Sequence, residues 1–421
     1  MDDKQIFAAV EVSDHEVRLI VGEFFNTRFN IIKVVRVPTD GISYNGIVNS
    51  ESVTNAVKAA LSEAKEKIGA EIRRVILAMP SYRMKRYSFK STVDVEGIDG
   101  TVTTQDVRNA IKKAEANDIG KGYALIQTVC VRYTVNGIST RRIPIGEKCS
   151  QLTVDIDLLC AERKFSYDLV TCVEKAGVGI IDIFLDIYAV GKEAALFEQA
   201  VNHQVVMLKV ERTATTLGLL RKGRLTNAAV LPAGLGTLAS AVSDKYGIES
   251  STAVELLKYS ARLNQDVCSS NPVHIWADRG TTRTITEQEL VDCIRPSVEN
   301  WLDAIQKTCV PILQADETAV MITGEGGETD GLAELLQKRL GVETKCYIPE
   351  TLGGRNAGLT ACLGLFYAYN DRLSITGPAE ESIDMEAFNK AVAYRDRKSD
   401  SGKEDTLTNK LLKGLFSEGK K

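Results

Sequence analysis

The chain has 421 residues, more than one hydrophobic core ordinarily accommodates, so at least two domains are expected. A formal charge of -4 carries no basic stripe of the kind that holds nucleic acid, and 44% hydrophobic with 26% charged residues is an ordinary composition for a folded protein. Nine cysteines stand singly without a CxxC pair and three histidines (His15, His203, His274) lie far apart, which argues against a zinc site and for a reducing compartment. The opening "MDDKQIFAAVEV" is acidic where a signal peptide needs positive charge, and no run reaches the roughly eighteen apolar residues of a spanning helix. A cytosolic body is expected.

In chain order, 6–12 and 17–24 are β-branched runs broken by a polar turn, an antiparallel hairpin, and 29–39 adds a third strand. Val53, Val57, Ala60, Leu61, Ala64 and Ile68 recur with helical period and Gly69 closes that helix. A buried strand, "RRVILAMPS", follows and ends at Pro80. The order β-β-β-α-β is a hairpin-led α/β unit, and no GxGxxG, GxxxxGK[ST] or GxSxG accompanies it. Residues 81–159 read as a compact α+β module: three alternating strands around a helix at 106–116 whose core face is Val107, Ala110, Ile111 and Ala114. After a helix at 165–177, the strand "GIIDIFLDI" and the helix "AVGKEAALFEQA", a second hairpin appears in "QVVMLKVER" and "ATTLGLLRKGRL". One hairpin-led unit occurring twice predicts a duplicated two-lobed α/β fold with a cleft between the lobes.

The C-terminus is of another kind. A polar stretch from residue 376 to 403 delivers "EDTLTNKLLKGLFSEGKK", in which Leu407, Leu411, Leu412, Leu415 and Phe416 share one helical face. Lys410 and Lys413 flank that stripe. A short greasy helix on a long polar tether predicts an interfacial or partner-binding segment rather than a docked last helix.

The segments "AAVEVSDHEVRLIVGE", "VILAMPSYRMKRYSFKSTVDVEG", "CVEKAGVGIIDIFLDIYAVGKEAAL", "LPAGLGTLASAVSDKYGIESSTAVELLKYS" and "MITGEGGETDGLAELLQKRLG", together with the tail, resemble the FtsA family of the actin-like superfamily. The resemblance implies a first lobe at 1–80, completed by 160–190 and 355–371, and the inserted α+β subdomain at 81–159. It implies a second lobe at 191–240, completed by 301–354, with a small subdomain at 241–300. A flexible linker at 372–405 and an amphipathic membrane-targeting helix at 406–418 would follow. The implied function is a scaffold at the division site, on the cytoplasmic face of the cell membrane. Its partners would be the tubulin-like FtsZ, other copies of itself in filaments, and an anionic membrane surface, with no nucleic acid. The alternatives are a PilM-like adaptor of a pilus or secretion assembly, which the tail disfavours, and an ATP-dependent enzyme of the same superfold.

The cleft departs from the family. Its first phosphate turn, roughly acidic-Ile-Gly-(Ser/Thr)-x-Lys, here reads Glu11, Val12, Ser13, Asp14, His15, Glu16. Its second, Asp-Ile-Gly-Gly-Gly-Thr-Thr-Asp, becomes Lys209, Val210, Glu211, Arg212, Thr213, Ala214, Thr215, Thr216. Asp14, Glu16 and Glu211 would repel a triphosphate, and side chains replace the glycines that let backbone approach it. Gly234, Gly236, Glu255, Lys258, Gly324, Gly326 and Gly327 resemble the ribose and adenine region, although tight turns need glycine without any ligand. With Lys209 where a carboxylate should orient metal-bound water, no catalytic residue, metal or required cofactor is expected, and weak ATP with magnesium is the most the cleft would take. A Lys209–Glu11 salt bridge across the lobes is the other use of these charges.

Overall fold

The computed structural model describes residues 4–389, apart from 26, 27, 266, 279, 314–316, 378 and 387. The proposed helix at 406–418, with Leu407, Lys410, Leu411, Leu412, Lys413, Leu415 and Phe416, lies outside the described residues, as does most of the tether.

The first lobe begins with three antiparallel strands, β1 (Lys4–Val12), β2 (Glu16–Phe25) and β3 (Arg28–Pro38), followed by the small hairpin β4 (Ile42–Ser43) and β5 (Gly46–Ile47). Helix α1 (Ser50–Ile68) starts where the Asn49 side chain accepts from Ser52 N–H, and stops at left-handed Gly69. It buries Val53, Val57, Ala60, Ala64 and Ile68, the periodic face read from sequence, while Leu61 is only half-buried. Strand β6 (Arg74–Met79) then runs parallel to β1.

The insert follows: β7 (Lys85–Asp94), α2 (Thr104–Glu115), β8 (Tyr123–Val135), β9 (Ile138–Thr140) and β10 (Gln151–Glu162). Its sheet has the order β7-β10-β8-β9, and α2 packs on it through Val107, Ala110 and Ala114, giving the insert a core of its own. Thr103 and Asp106 close a capping box at the start of α2.

The chain returns through α3 (Arg163–Lys175), β11 (Gly179–Leu185), α4 (Asp186–Glu193) and the short α5 (Leu196–Gln199). The second lobe opens with β12 (Gln204–Val210), β13 (Thr215–Arg221) and β14 (Arg224–Leu231), then α6 (Leu235–Tyr246) and α7 (Ser250–Ser260). The hairpin β15 (Pro272–Asp278) and β16 (Thr281–Thr286) and the long α8 (Glu287–Leu313) precede β17 (Thr318–Thr323), α9 (Leu332–Leu340), β18 (Thr344–Cys346) and α10 (Thr360–Thr376). The two main sheets read β3-β2-β1-β6-β11 and β14-β13-β12-β17-β18. Each is an antiparallel three-strand meander extended by two parallel strands, so the inferred duplication is an identity of topology.

Several expected boundaries fall inside helices: 190 in α4, 240 in α6, 300 in α8 and 371 in α10. The physical reason is shared packing. One core runs from the second-lobe sheet into α6, α7 and α8, so 241–300 has no separate core. Likewise α4 and α10 cross closely enough that a Cβ on Gly364 would lie 1.9 Å from Ala189 O.

The linker expected from residue 372 also starts later. Helix α10 continues to Thr376, and the chain then straps across the first lobe. Ser382 O accepts from Arg73 N–H at 2.8 Å, Ser382 Oγ accepts from Ala8 N–H at 2.8 Å, and Ile383 pairs with Ile72. Ile383 and Phe388 are buried there. Apolar residues this sparse in a polar run make no periodic signal, and only the tertiary contact reveals them.

Candidate functional site

The β1–β2 turn and the β12–β13 turn are equivalent under the duplication, and they face one another across the cleft. Each is held by its own backbone: Ser13 N–H donates to Glu16 O at 2.9 Å, and Glu211 N–H to Ala214 O at 2.9 Å. What stands between the turns is a network of buried charge.

Arg18, on β2, is fully buried. Its Nη1 and Nη2 donate to Glu211 Oε1 and Oε2 at 2.9 and 2.8 Å, a fork joining residues 193 apart in sequence. Its Nε donates to Glu16 Oε1 at 2.6 Å, and Nη1 lies 3.4 Å from Glu11 Oε2. Lys209, on β12, donates to Glu11 Oε1 at 2.5 Å, the bridge expected from sequence, and to Asp186 Oδ2 at 2.8 Å. Asp186 is pinned in turn by Ser81 Oγ–H and the N–H groups of Ser81 and Ile187. Arg212 forks onto Glu325 at 2.8 and 3.1 Å, with Lys258 3.5 Å from the same carboxylate. Arg36 completes the set on Glu16.

His15 sits in the middle. Its Nδ1 is 2.9 Å from Asp14 Oδ1, and its Nε2 is 2.9 Å from Glu325 Oε2, an ion-pair contact. Burial lowers the imidazole pKa, but Asp14, Glu16 and Glu325 overcome this, and Arg18 opposes them only weakly; the net result is a pKa raised to about 10. His15 is therefore an imidazolium at neutral pH. Six carboxylates (Glu11, Asp14, Glu16, Asp186, Glu211, Glu325) then meet six cations (His15, Arg18, Arg36, Lys209, Arg212, Lys258), and the network is neutral. Burial lifts the Glu211 carboxyl above its ordinary value against the downward pull of Arg18 and Lys209, although the guanidinium forked onto it cannot shed its own proton. Glu16, Glu325 and Asp14 are all held below the usual carboxylate range: burial raises each, and their contacts to His15, the arginines and Thr213 outweigh it.

Each site residue inferred from sequence can now be placed. Glu11, Asp14, Glu211, Arg212 and Lys258 converge, and Ser13 lies in the first turn with Oγ on Glu16 O. Asp14, Glu16 and Glu211, the carboxylates expected to repel a triphosphate, are each paired within the protein, by His15, by Arg18 and Arg36, and by Arg18 respectively. Glu255 does not join the cluster and points outward from α7. The glycines serve close protein packing: a Cβ on Gly234 would lie 2.1 Å from Glu211 O, and one on Gly324, whose φ is +88°, would lie 2.4 Å from Val210 O. Gly236 and Gly326 similarly approach Arg212 and Val210, and Gly327 has room.

Arg18 and Asp186 were missed. Arg18 carried a signal, a charge inside the apolar run "EVRLIVGE" of a strand buried on both faces; Asp186 carried none. Asp14, His15 and Glu211 bring metal-ligand atoms within 4.8 Å of one another, with Asp14 engaged by Thr213 and Glu211 by Arg18.

The sign of the pH dependence follows. A histidine whose folded pKa of about 10 exceeds its unfolded 6.5 stabilises the fold fully below pH 6.5, and that contribution is lost as pH rises towards 10. Melting of His15→Gln beside the parent protein checks this. The deficit of the variant should be largest at pH 6 and shrink steadily to pH 10; a deficit that does not change with pH would contradict it.

The comparisons with known proteins agree with this architecture. Residues 82–160 match the family described as "SHS2 domain inserted in FTSA", the extent of the insert. The chain is 23% identical to the cell division protein FtsA of Bacillus subtilis over 87% of its length and 83% of that protein's. It is 21% identical to FtsA of Enterococcus hirae, with 86% and 82% covered. Among solved structures, the PilM–PilN type IV pilus biogenesis complex aligns with a TM-score of 0.57 at 15% identity, covering 85% of this chain and 97% of that one. MreB5 of Spiroplasma citri bound to ADP aligns with a TM-score of 0.52 at 11% identity, covering 89% and 99%. The duplicated lobes are thus the actin fold, and the insert after β6 matches the domain inserted in FtsA. Over most of its length the chain is similar to FtsA cell division proteins, and its insert matches the domain inserted in them.

Proposed function

We propose that this protein is a nucleotide-independent FtsA-type adaptor, which binds FtsZ and ties it to the inner face of the cytoplasmic membrane through residues 406–418. The observation that carries the reading is the FtsA-type insert on an actin-fold body whose cleft is bridged by its own charged side chains. A tether needs surfaces rather than chemistry. Where phosphoryl transfer would call for a carboxylate to orient metal-bound water, Lys209 stands bonded to Glu11 and Asp186. The membrane arm is weak by design. Five apolar side chains at roughly 1.5–3 kcal/mol each are offset by ordering and partial insertion, and lysines add about 1 kcal/mol each on an anionic surface. Copies joined through the insert would multiply that weak hold.

Flotation with anionic vesicles tests the tether. The full chain should float and carry FtsZ with it, and Leu411→Glu with Phe416→Glu should abolish both, because each charge would have to leave water. Equal flotation of parent and double variant, or vesicles that carry the chain but never FtsZ, would contradict the reading. Calorimetric titration with ATP and magnesium tests nucleotide independence. Weak heat or none is expected, whereas micromolar affinity with steady phosphate release would make the protein an ATPase.

A further inference from the structure

The second turn does more than carry charge. The successive backbone N–H groups of Arg212 and Thr213 aim at one acceptor, the arrangement by which a turn cradles an anion. That acceptor is part of the protein. Asp14 Oδ2 takes Thr213 N–H at 2.5 Å and Thr213 Oγ–H at 2.6 Å, and Asp14 Oδ1 takes Arg212 N–H at 3.3 Å and His15 at 2.9 Å. Asp14 belongs to the first lobe and its donors on the second turn lie 198 and 199 residues away. Its carboxylate is buried, so this is no surface contact screened by salt.

We propose that Asp14 acts as a tethered anion, filling the anion cradle of the opposite lobe and so latching the two lobes closed without any ligand. A free phosphate or carboxylate would have to displace a group already held beside the cradle, whose effective concentration is of the order of millimolar or more. The fork between Arg18 and Glu211 and the bridge from Lys209 to Glu11 act in parallel across the same gap. A further span runs outside the cleft: from the insert, rooted in the first lobe, Arg141 Nη2 donates to Lys222 O at 3.1 Å and Asp157 lies 3.7 Å from Arg224. One lobe relation is therefore built in, and the closed body is its resting form. The latch does not rest on the adaptor reading, since it concerns only how the lobes are joined.

Removing the carboxylate should turn the latch into a binding site. Asp14→Ala is melted in sodium chloride, sodium acetate and sodium phosphate at matched ionic strength, beside the parent. In chloride the variant should melt lower by about 5 °C or more, because buried cationic and N–H donors lose their acceptor. Acetate or phosphate should restore a large part of that loss while leaving the parent unmoved. Thr213→Val, which deletes one donor and leaves Asp14 in place, should melt lower with no response to acetate. An Asp14→Ala protein as stable as the parent, or one that acetate and phosphate help no more than chloride does, would overturn the proposal. The parent alone gives a second decision if Asp14→Ala does not fold. Its 212 and 213 amides should resist deuterium exchange in chloride and be unaffected by phosphate; amides that exchange freely in chloride and become protected in phosphate would show an empty cradle and overturn it.

Discussion

A guanidinium buried at the root of a cleft is the constraint on which this structure turns. Arg18 has no exposed surface and cannot neutralise itself by losing a proton. Leaving such a group unpaired in the interior costs several kcal/mol. Among the described residues, Glu211 from the other lobe is the one that offers it a two-point carboxylate, so this pairing is made only when the second lobe is in place. The relation of the lobes is thus written into the pairing of one residue.

The rest of the network follows from the same electrostatics. Glu11 and Glu16 add charge beside Arg18, and Lys209 answers Glu11 and Asp186. His15 takes up a proton because Asp14, Glu16 and Glu325 surround it. Such a cluster is not a large net source of stability, since removing so many charges from water offsets much of their attraction. Its consequence is specificity. Any other lobe orientation would strand buried ions, and a conformation that strands them is strongly disfavoured.

Much of this architecture could be read from sequence, because it rests on local pattern. The hairpin-led unit appears twice as β-branched runs around polar turns, and the insert is bounded by Pro80 and a change in strand rhythm; the expected limits of 81–159 differ by one residue at each end from the match at 82–160. Tertiary pairing was less legible. Counting Asp14, Glu16 and Glu211 along the chain suggested only that they would repel a triphosphate; that Arg18 answers Glu211, and that Thr213 N–H donates to Asp14, depends on segments nearly two hundred residues apart. The Lys209–Glu11 bridge was anticipated only because both residues occupy equivalent positions in the duplicated turns. Asp186 and the strap through Ser382, Ile383 and Phe388 had no such internal symmetry to expose them.

The central claim is that charge, rather than a ligand, joins the lobes, and a double-mutant cycle on Arg18 and Glu211 measures it most directly. Arg18→Met, Glu211→Gln and the double variant, each as the full chain, are compared with the parent by denaturant unfolding without nucleotide. A coupling energy of about 2 kcal/mol or more is predicted for a forked, water-excluded pair. Coupling below about 0.5 kcal/mol, the range of independent sites, would contradict the account.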